Sequence, residues 1–301
     1  MITAVSCHQN IQTYKPQKQN QNISFGSTNM SYLYKNSKRM HCYTNFFRAD
    51  LPWKDLGKIF HETFEKKPKV NIINGACSDG SESFSIVMAL QEAFPRDMWN
   101  KFLPIKAFDF SHDLIINAKR GVVDVDEADI DKLNKLIPNY QKHFRPTFID
   151  PAQQFYIEEQ PLKKLQASNE LLKNIHFEQN DVFKVLETLE DNGNTAFFFR
   201  NALIHLGDDA AKKFATLAGE KLKKGSLVII GSTDVSTTNI KKYLNDNHFR
   251  EIAKNIYKKF EPNKQGLRVK LNNEKKDSKS PNLFRKFGEK VNKLLNKIFI
   301  S

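Results

Sequence analysis

Four short stretches of this chain put polar residues where an apolar run breaks off. In "NIINGACSDGSESFS" (residues 71–85) the run meets Gly75, then Gly80, with Asp79 and Glu82 beside the second glycine. "AFDFSHD" ends its run in Asp109, "HFEQND" in Asn180 and Asp181, and "FFFRNALIHL" in Arg200 and Asn201, with His205 close behind. Carboxylates accept from ammonium groups and hydroxyl pairs, amides read the edge of a base, and guanidinium holds carboxylate through two parallel bonds. A dinucleotide fits poorly. Its pyrophosphate would sit at a helix N-terminus, where Asp79 and Glu82 are like charges. The G-x-G-x-x-G spacing is missing, and Asp109 follows Gly80 by 29 residues, whereas that motif puts its acid about 20 residues on. The set suits a cofactor with a cationic end and no phosphate. S-adenosylmethionine meets that description: its ammonium would go to Glu82, its ribose diol to Asp109, and its adenine edge to Asn180 or Asp181. Taken singly these residues have plainer readings, since Glu82 favours a helix dipole and Asp109 suits a cap. Their joint placement at run ends carries the cofactor reading.

The elements that must position them are strands alternating with helices. The spacing predicts strands at 67–74, 105–110, 175–179, 196–199 and 227–230. It predicts helices at 81–94, 113–120, 182–189, 210–222 and 238–244. Residues 248–260 and 267–271 read as a closing hairpin turning at 261–266. Residues 122–170 follow neither period. Such alternation implies an α/β fold with a doubly wound, mainly parallel sheet and a C-terminal antiparallel hairpin. In such sheets ligands bind at the carboxyl ends of the strands, near the point where the strand order reverses. Those ends are where the polar residues fall.

Bulk properties narrow the field. The 301 residues carry a net charge of +13, but the charge sits at the two ends. Residues 1–40 hold five Lys and Arg and no acid, and 263–301 hold eleven against three acids, leaving 41–262 neutral. A neutral middle argues against a nucleic-acid enzyme. Three scattered cysteines and the lack of an apolar leader imply a reduced, cytoplasmic protein with no metal site. The expected organisation is a disordered basic tail (1–40), one catalytic domain (41–272), and a linker with a C-terminal helix (273–301). In 282–300, "NLFRKFGEKVNKLLNKIFI", apolar residues recur at helical spacing with lysines largely elsewhere. A basic amphipathic helix of this kind lies on an anionic membrane, docks into a partner's groove, or packs on its own domain. The first case would put the protein at the inner membrane face.

With these residues in view, the sequence resembles the CheR-type methyltransferases, which esterify glutamate side chains of bacterial chemoreceptors. "TNFFR" (44–48) is similar to the family's Thr-x-Phe-Phe-Arg motif. "GACSDGSESFS" is similar to its A-x-S-x-G-E-E-x-Y-S loop, and "AFDFSHDLIINAKRG" to its A-T-D-I-D pattern. "HFEQNDVF" and "FFFRNALIHL" follow its third and fourth strand ends. The likeness runs over about residues 42–260. It implies a Rossmann-like class I methyltransferase fold with S-adenosylmethionine as cofactor. Thr44, Gly75, Glu82, Asp109 and Asn180 would contact the cofactor, with Asp181 holding adenine through its backbone. Arg200 and Asn201 would line the pocket. Arg48 would bind the substrate carboxylate, and the substrate would be an acidic protein. The sequence departs from the pattern at Cys42 (family Asn), Ser81 (Glu), Ser111 (Asp) and His205 (Tyr). The family's helical N-terminal docking domain has no counterpart in residues 1–40, and 140–175 reads as too short for its full β-subdomain. Methyl transfer to a carboxylate needs no general base, because glutamate is ionised at neutral pH. Arg48 would orient the acceptor, with His205 adding a hydrogen bond. A non-catalytic binding module and a small-molecule methyltransferase remain open beside this reading.

Overall fold

The computed structural model describes residues 44–147 and 163–262. The expected basic tail, the strand at 267–271 and the C-terminal helix lie outside the described residues. Ten strands are formed: β1 (Asn71–Gly75), β2 (Ile105–Asp109), β3 (Val122–Val125), β4 (Phe144–Thr147), β5 (Lys163–Ala167), β6 (Ile175–Gln179), β7 (Thr195–Phe199), β8 (Leu227–Ile230), β9 (Phe249–Ala253) and β10 (Ile256–Lys259). Seven make one sheet in the order β6-β2-β1-β7-β8-β10-β9, and β3-β5-β4 make a second. In the large sheet the pairings of β6, β2, β1, β7 and β8 are parallel, and β10 runs antiparallel to both β8 and β9. The chain builds outward through β1, β2 and β6, then returns to the other side of β1 for β7 and β8. The order therefore reverses between β1 and β7.

The central strands are apolar because both faces are covered. β7 (TAFFF) and β8 (LVII) are buried at every position. Alternation sends successive side chains to opposite faces. Ala196 and Phe198 join one core with Ile72, Leu227 and Ile229, while Phe197 and Phe199 join the other with Ile73, Val228 and Ile230. On the first face, helix Leu56–Phe64 buries Leu56, Phe60 and Phe64, one per turn. Each buried phenylalanine contributes about 2 kcal/mol, so this helix is bound by its apolar stripe. Helix Ser81–Ala93 lies on the same face through Phe84, Val87 and Met88. Helices Val182–Thr188, Asp208–Lys221 and Ile240–Asp246 cover the second face. Among the described residues no helix is long and apolar enough to cross a membrane.

One expectation is corrected, and one stretch left unassigned in the sequence gains regular structure. The hairpin turns at Lys254 and Asn255, within what reads as its first strand. Asn255 takes a left-handed φ of 62° there, as asparagine tolerates in tight hairpin turns. The stretch 122–170, which follows neither period in the sequence, forms regular structure where it is described. It holds a three-stranded antiparallel sheet, β3-β5-β4, packed by Val123, Leu165 and Phe144 against the first core. The helix expected at 238–244 forms as Ile240–Asp246, and a further short helix, Ser232–Thr237, precedes it.

Candidate cofactor site at the strand tips

Strand register brings the polar run ends to one level. Gly75 pairs with Phe108 on one side and Phe199 on the other. Asp109 pairs with Gln179, and Phe199 with Ile230. Ala76, Asp109, Arg200 and Gly231 therefore follow at a common height, with Asn180 one residue beyond.

The loop from β1 into helix Ser81–Ala93 is tightly wound. Ala76, Ser78 and Gly80 have φ of 55°, 54° and 92°. At Gly80 a side chain would be strained and would press on Phe84 and Phe177 at 3.1 Å. Strand β2 holds this loop: Cys77 N donates to Phe108 O (3.0 Å) and Ser78 N to Asp109 Oδ2 (3.0 Å). Asp109 Oδ1 accepts from Ser111 N (2.9 Å), and the Asp109 carbonyl accepts from Asn180 N (3.0 Å). Asp109 thus ties three strand ends together. Burial raises its pKa, and the N–H groups of Ser111, Ser78 and Phe110 oppose that rise. The helix cap expected of it belongs to Ser111, whose hydroxyl accepts from Leu114 N (3.4 Å).

Asp79 turns back to accept from Ser81 N (2.9 Å), and burial pushes its pKa to about 6. Glu82 stands in the first helical turn. Its Oε2 accepts from Arg200 Nη1 (2.7 Å), and Asn74, with its amide turned to satisfy both ends, donates to Oε1 (3.2 Å). Burial raises the Glu82 pKa, against the pull of Arg200 and Arg48. The other Arg200 arm, Nη2, is held by Asp50 Oδ1, and the guanidinium lies 5.5 Å from the centre of the Trp53 ring. Asp50 also accepts from Ser232 N (2.8 Å), and its carbonyl accepts from Asn255 Nδ2 (2.7 Å).

The "TNFFR" segment packs beside this cluster. Phe46 and Phe47 are buried, and Phe47 N donates to Ser85 Oγ (3.1 Å). Thr44 and Arg48 are half-buried. The Arg48 carbonyl accepts from Trp53 Nε1 (2.8 Å), and its charge acts on Glu82. Among the described residues Arg48 makes no ion pair. Asn201 adopts a left-handed φ of 55°, and its N–H donates to Asp234 Oδ2 (2.5 Å). Asp234 also accepts from Ile204 N (3.1 Å) and Gly231 N (3.2 Å), so this buried carboxylate shapes the whole turn after β7. A side chain at Gly231 would meet Asn201 Oδ1 at 2.1 Å, so only glycine lets the two tips approach.

Glu82, Asp109, Asn180, Arg200 and Arg48 therefore meet along one edge. Two expected residues stand differently. Asp181 spends Oδ1 on capping helix Val182–Thr188, accepting from Phe183 N (2.8 Å) and Lys184 N (3.2 Å). The expected side-chain contact to adenine thus competes with a cap, and a contact through the backbone N–H competes with Asn180 Oδ1, which accepts from Asp181 N (2.9 Å). His205 sits exposed on the four-residue helix Leu203–Leu206, and its imidazole makes no hydrogen bond among the described residues. Asp50, Trp53, Asp234 and Asn255 went unread in the sequence. Asp50 lies two residues past "TNFFR", but nothing in its spacing reveals a partner 150 residues away.

The donor set fits the cofactor expected from the sequence. At the helix N-terminus where a pyrophosphate would rest, Ser81 N is taken by Asp79, Ser83 N faces Asn74 and Phe84 N bonds Gly80 O. What is offered is carboxylate and amide. The reversed strand order, the antiparallel β9–β10 hairpin and these acidic tips define a Rossmann-like, S-adenosylmethionine-dependent methyltransferase domain. The family described as "CheR methyltransferase, SAM binding domain" matches residues 43–251, and the chain belongs to that family. Its cofactor is S-adenosylmethionine. A chemotaxis protein methyltransferase of Borreliella burgdorferi (strain ATCC 35210 / DSM 4680 / CIP 102532 / B31) is 23% identical over 208 residues. That match covers 69% of this chain and 65% of the relative, so it spans just under two thirds of the relative's length. Among solved structures, magnesium protoporphyrin IX methyltransferase from Synechocystis PCC 6803 with bound SAM is 11% identical, covering 78% of this chain and 90% of that one at a TM-score of 0.33. WbdD is 12% identical, covering 74% and 42% at a TM-score of 0.38.

Proposed function

We propose that this chain transfers a methyl group from S-adenosylmethionine to a carboxylate side chain, glutamate in particular, of an acidic protein. The observation that carries this reading is the state of Arg48. Two guanidinium groups stand at the tips; Arg200 is consumed by Asp50 and Glu82, whereas Arg48 has no carboxylate partner among the described residues. A half-buried guanidinium left open beside the cofactor's acidic contacts suits an incoming carboxylate, held through two parallel bonds. In this reading Glu82 takes the cofactor's ammonium, Asp109 the ribose hydroxyls, and Asn180 with the Asp181 backbone the adenine. Thr44, Gly75, Arg200 and Asn201 complete the walls. The bound cofactor supplies an electrophilic methyl on a sulfonium. The chain's own task is to align the acceptor and exclude water, because positioning alone supplies much of the rate. A dry site would favour transfer, because the acceptor's negative charge would be partly offset by the cofactor's positive charge. His205, exposed at the rim, adds a hydrogen-bond donor to the acceptor. The homology to a chemotaxis protein methyltransferase supports the glutamate assignment.

The test is mass spectrometry of a lysate supplied with cofactor and this protein. The expected product is a base-labile mark of one added methylene on an acidic peptide, lost with Arg48→Ala. A mark on lysine or on a small molecule, with acidic peptides untouched, would contradict the proposal.

A further inference from the structure

Asp50 has no part in the function proposed above, yet it completes the cluster on which Glu82 depends. It reaches Arg200 from the other side, so one guanidinium lies between two carboxylates. The Arg200 side chain is 1% exposed and is backed by the Trp53 ring. It cannot swing away to water. Asp50 itself is fixed at three points, through Arg200, through Ser232 N and through the Asn255 amide on its carbonyl. The cluster thus joins the segment after "TNFFR" to β7, to the helix carrying Glu82, and to the turns after β8 and β9.

Charge decides what the arrangement can do. A carboxylate facing a guanidinium alone forms a neutral pair and has little pull left for a second cation. Two carboxylates on one guanidinium leave one negative charge over. Asp234 nearby is screened by the N–H groups of Asn201, Ile204 and Gly231. Arg48 adds a positive charge, which the proposed function assigns to the acceptor carboxylate. We infer that Asp50 is a positioning residue for cofactor recognition: by holding the second arm of Arg200 it leaves the shared cluster with a net negative charge, which lets Glu82 accept the ammonium of the cofactor's amino-acid end. The inference rests on the assignment of Glu82 to that ammonium. Asp50 acts through Arg200 and touches no cofactor atom.

The experiment compares two adenosine thioethers by calorimetry. S-adenosylhomocysteine carries the amino-acid end; 5′-methylthioadenosine has that end cut back to a methyl group. Asp50→Asn keeps the size of the side chain and its acceptor for Ser232 N but removes the charge. It is expected to weaken S-adenosylhomocysteine by about tenfold or more and to leave 5′-methylthioadenosine unchanged. Asp50→Glu, which restores the charge, is expected to recover the preference for the longer compound. Equal weakening of both compounds by Asp50→Asn would mean a structural role and overturn the inference, as would no change in either, or a loss in Asp50→Glu as large as in Asp50→Asn. Should Asp50→Asn fail to fold, Asp50→Ser is read in the same way; failure of both neutral variants to fold would also overturn it. If the unsubstituted protein binds neither compound, the cofactor assignment itself fails, which is evident before any substitution is made.

Discussion

The two ends of the central sheet each bury carboxylates, and they use them differently. At the amino ends of β7 and β8, Asp191 accepts from Asn194 N (3.2 Å), Thr195 Oγ1 (2.8 Å), Lys223 N (2.6 Å) and Ser226 Oγ (2.7 Å). Each oxygen has two donors, all neutral and all from the chain itself. That carboxylate is a rivet. At the carboxyl ends, Glu82 and Asp50 share one arginine, Asp109 brackets two loops, and Arg48 faces the group without a partner of its own among the described residues. The first arrangement is saturated and has nothing to offer a ligand. The second is held together but not saturated, which is what a binding edge requires.

Substitutions at the two ends should separate these roles. The largest effect is expected from Arg200→Leu, which strands Asp50 and Glu82 as buried charges; stability should fall by about 3 to 5 kcal/mol in denaturant unfolding. A loss under about 1 kcal/mol would show the pair to be water-screened like a surface bridge. Next comes Asp191→Ala, expected to cost about 2 to 3 kcal/mol because two backbone N–H groups and two hydroxyls lose their acceptor. The folded fraction should bind cofactor as before, and weakened binding would erase the distinction between the ends.

A smaller effect concerns pH. Burial raises the Asp79 pKa from 3.8 to about 6 in the folded protein. Between those values the unfolded chain has released the proton and the folded chain still holds it. By linkage, this group makes stability fall as pH rises through that window, and the cost is fully present above about pH 6. Asp79 is only half-buried by exposure, so solvent discounts the cost to about 1 kcal/mol. Asp79→Asn should flatten that decline between the two pH values, seen as a raised urea midpoint at neutral pH; an unchanged profile would contradict the shift. The smallest effect is His205→Ala, expected to move stability by less than about 0.5 kcal/mol while slowing methyl transfer. A large stability loss would mean that His205 is packed rather than poised.

Much of this was legible in the residues. Parallel strands buried on both faces must be continuous apolar runs, so β7 and β8 stand out against their flanks. The tips follow from where those runs stop, which places Glu82, Asp109, Asn180 and Arg200 together by topology alone. The small sheet was hidden for equally physical reasons. Its strands are not apolar runs: β5 reads Lys-Lys-Leu-Gln-Ala, and β4 carries Pro146, which an edge strand tolerates. The β9–β10 turn has no glycine, and asparagine does the work instead. Asp50 and Asp234 were invisible because their partners are set by tertiary approach, such as Gly231 against Asn201, and not by any local spacing.

The central claim is that the acidic tips form a single receptor for S-adenosylmethionine. Calorimetric titration of the purified chain with that compound, beside Asp109→Ala with its fold verified by thermal melting, addresses it most directly. The account predicts a saturable single site in the unsubstituted protein and affinity lowered by about tenfold or more in the variant. Equal affinity in the two proteins would contradict it.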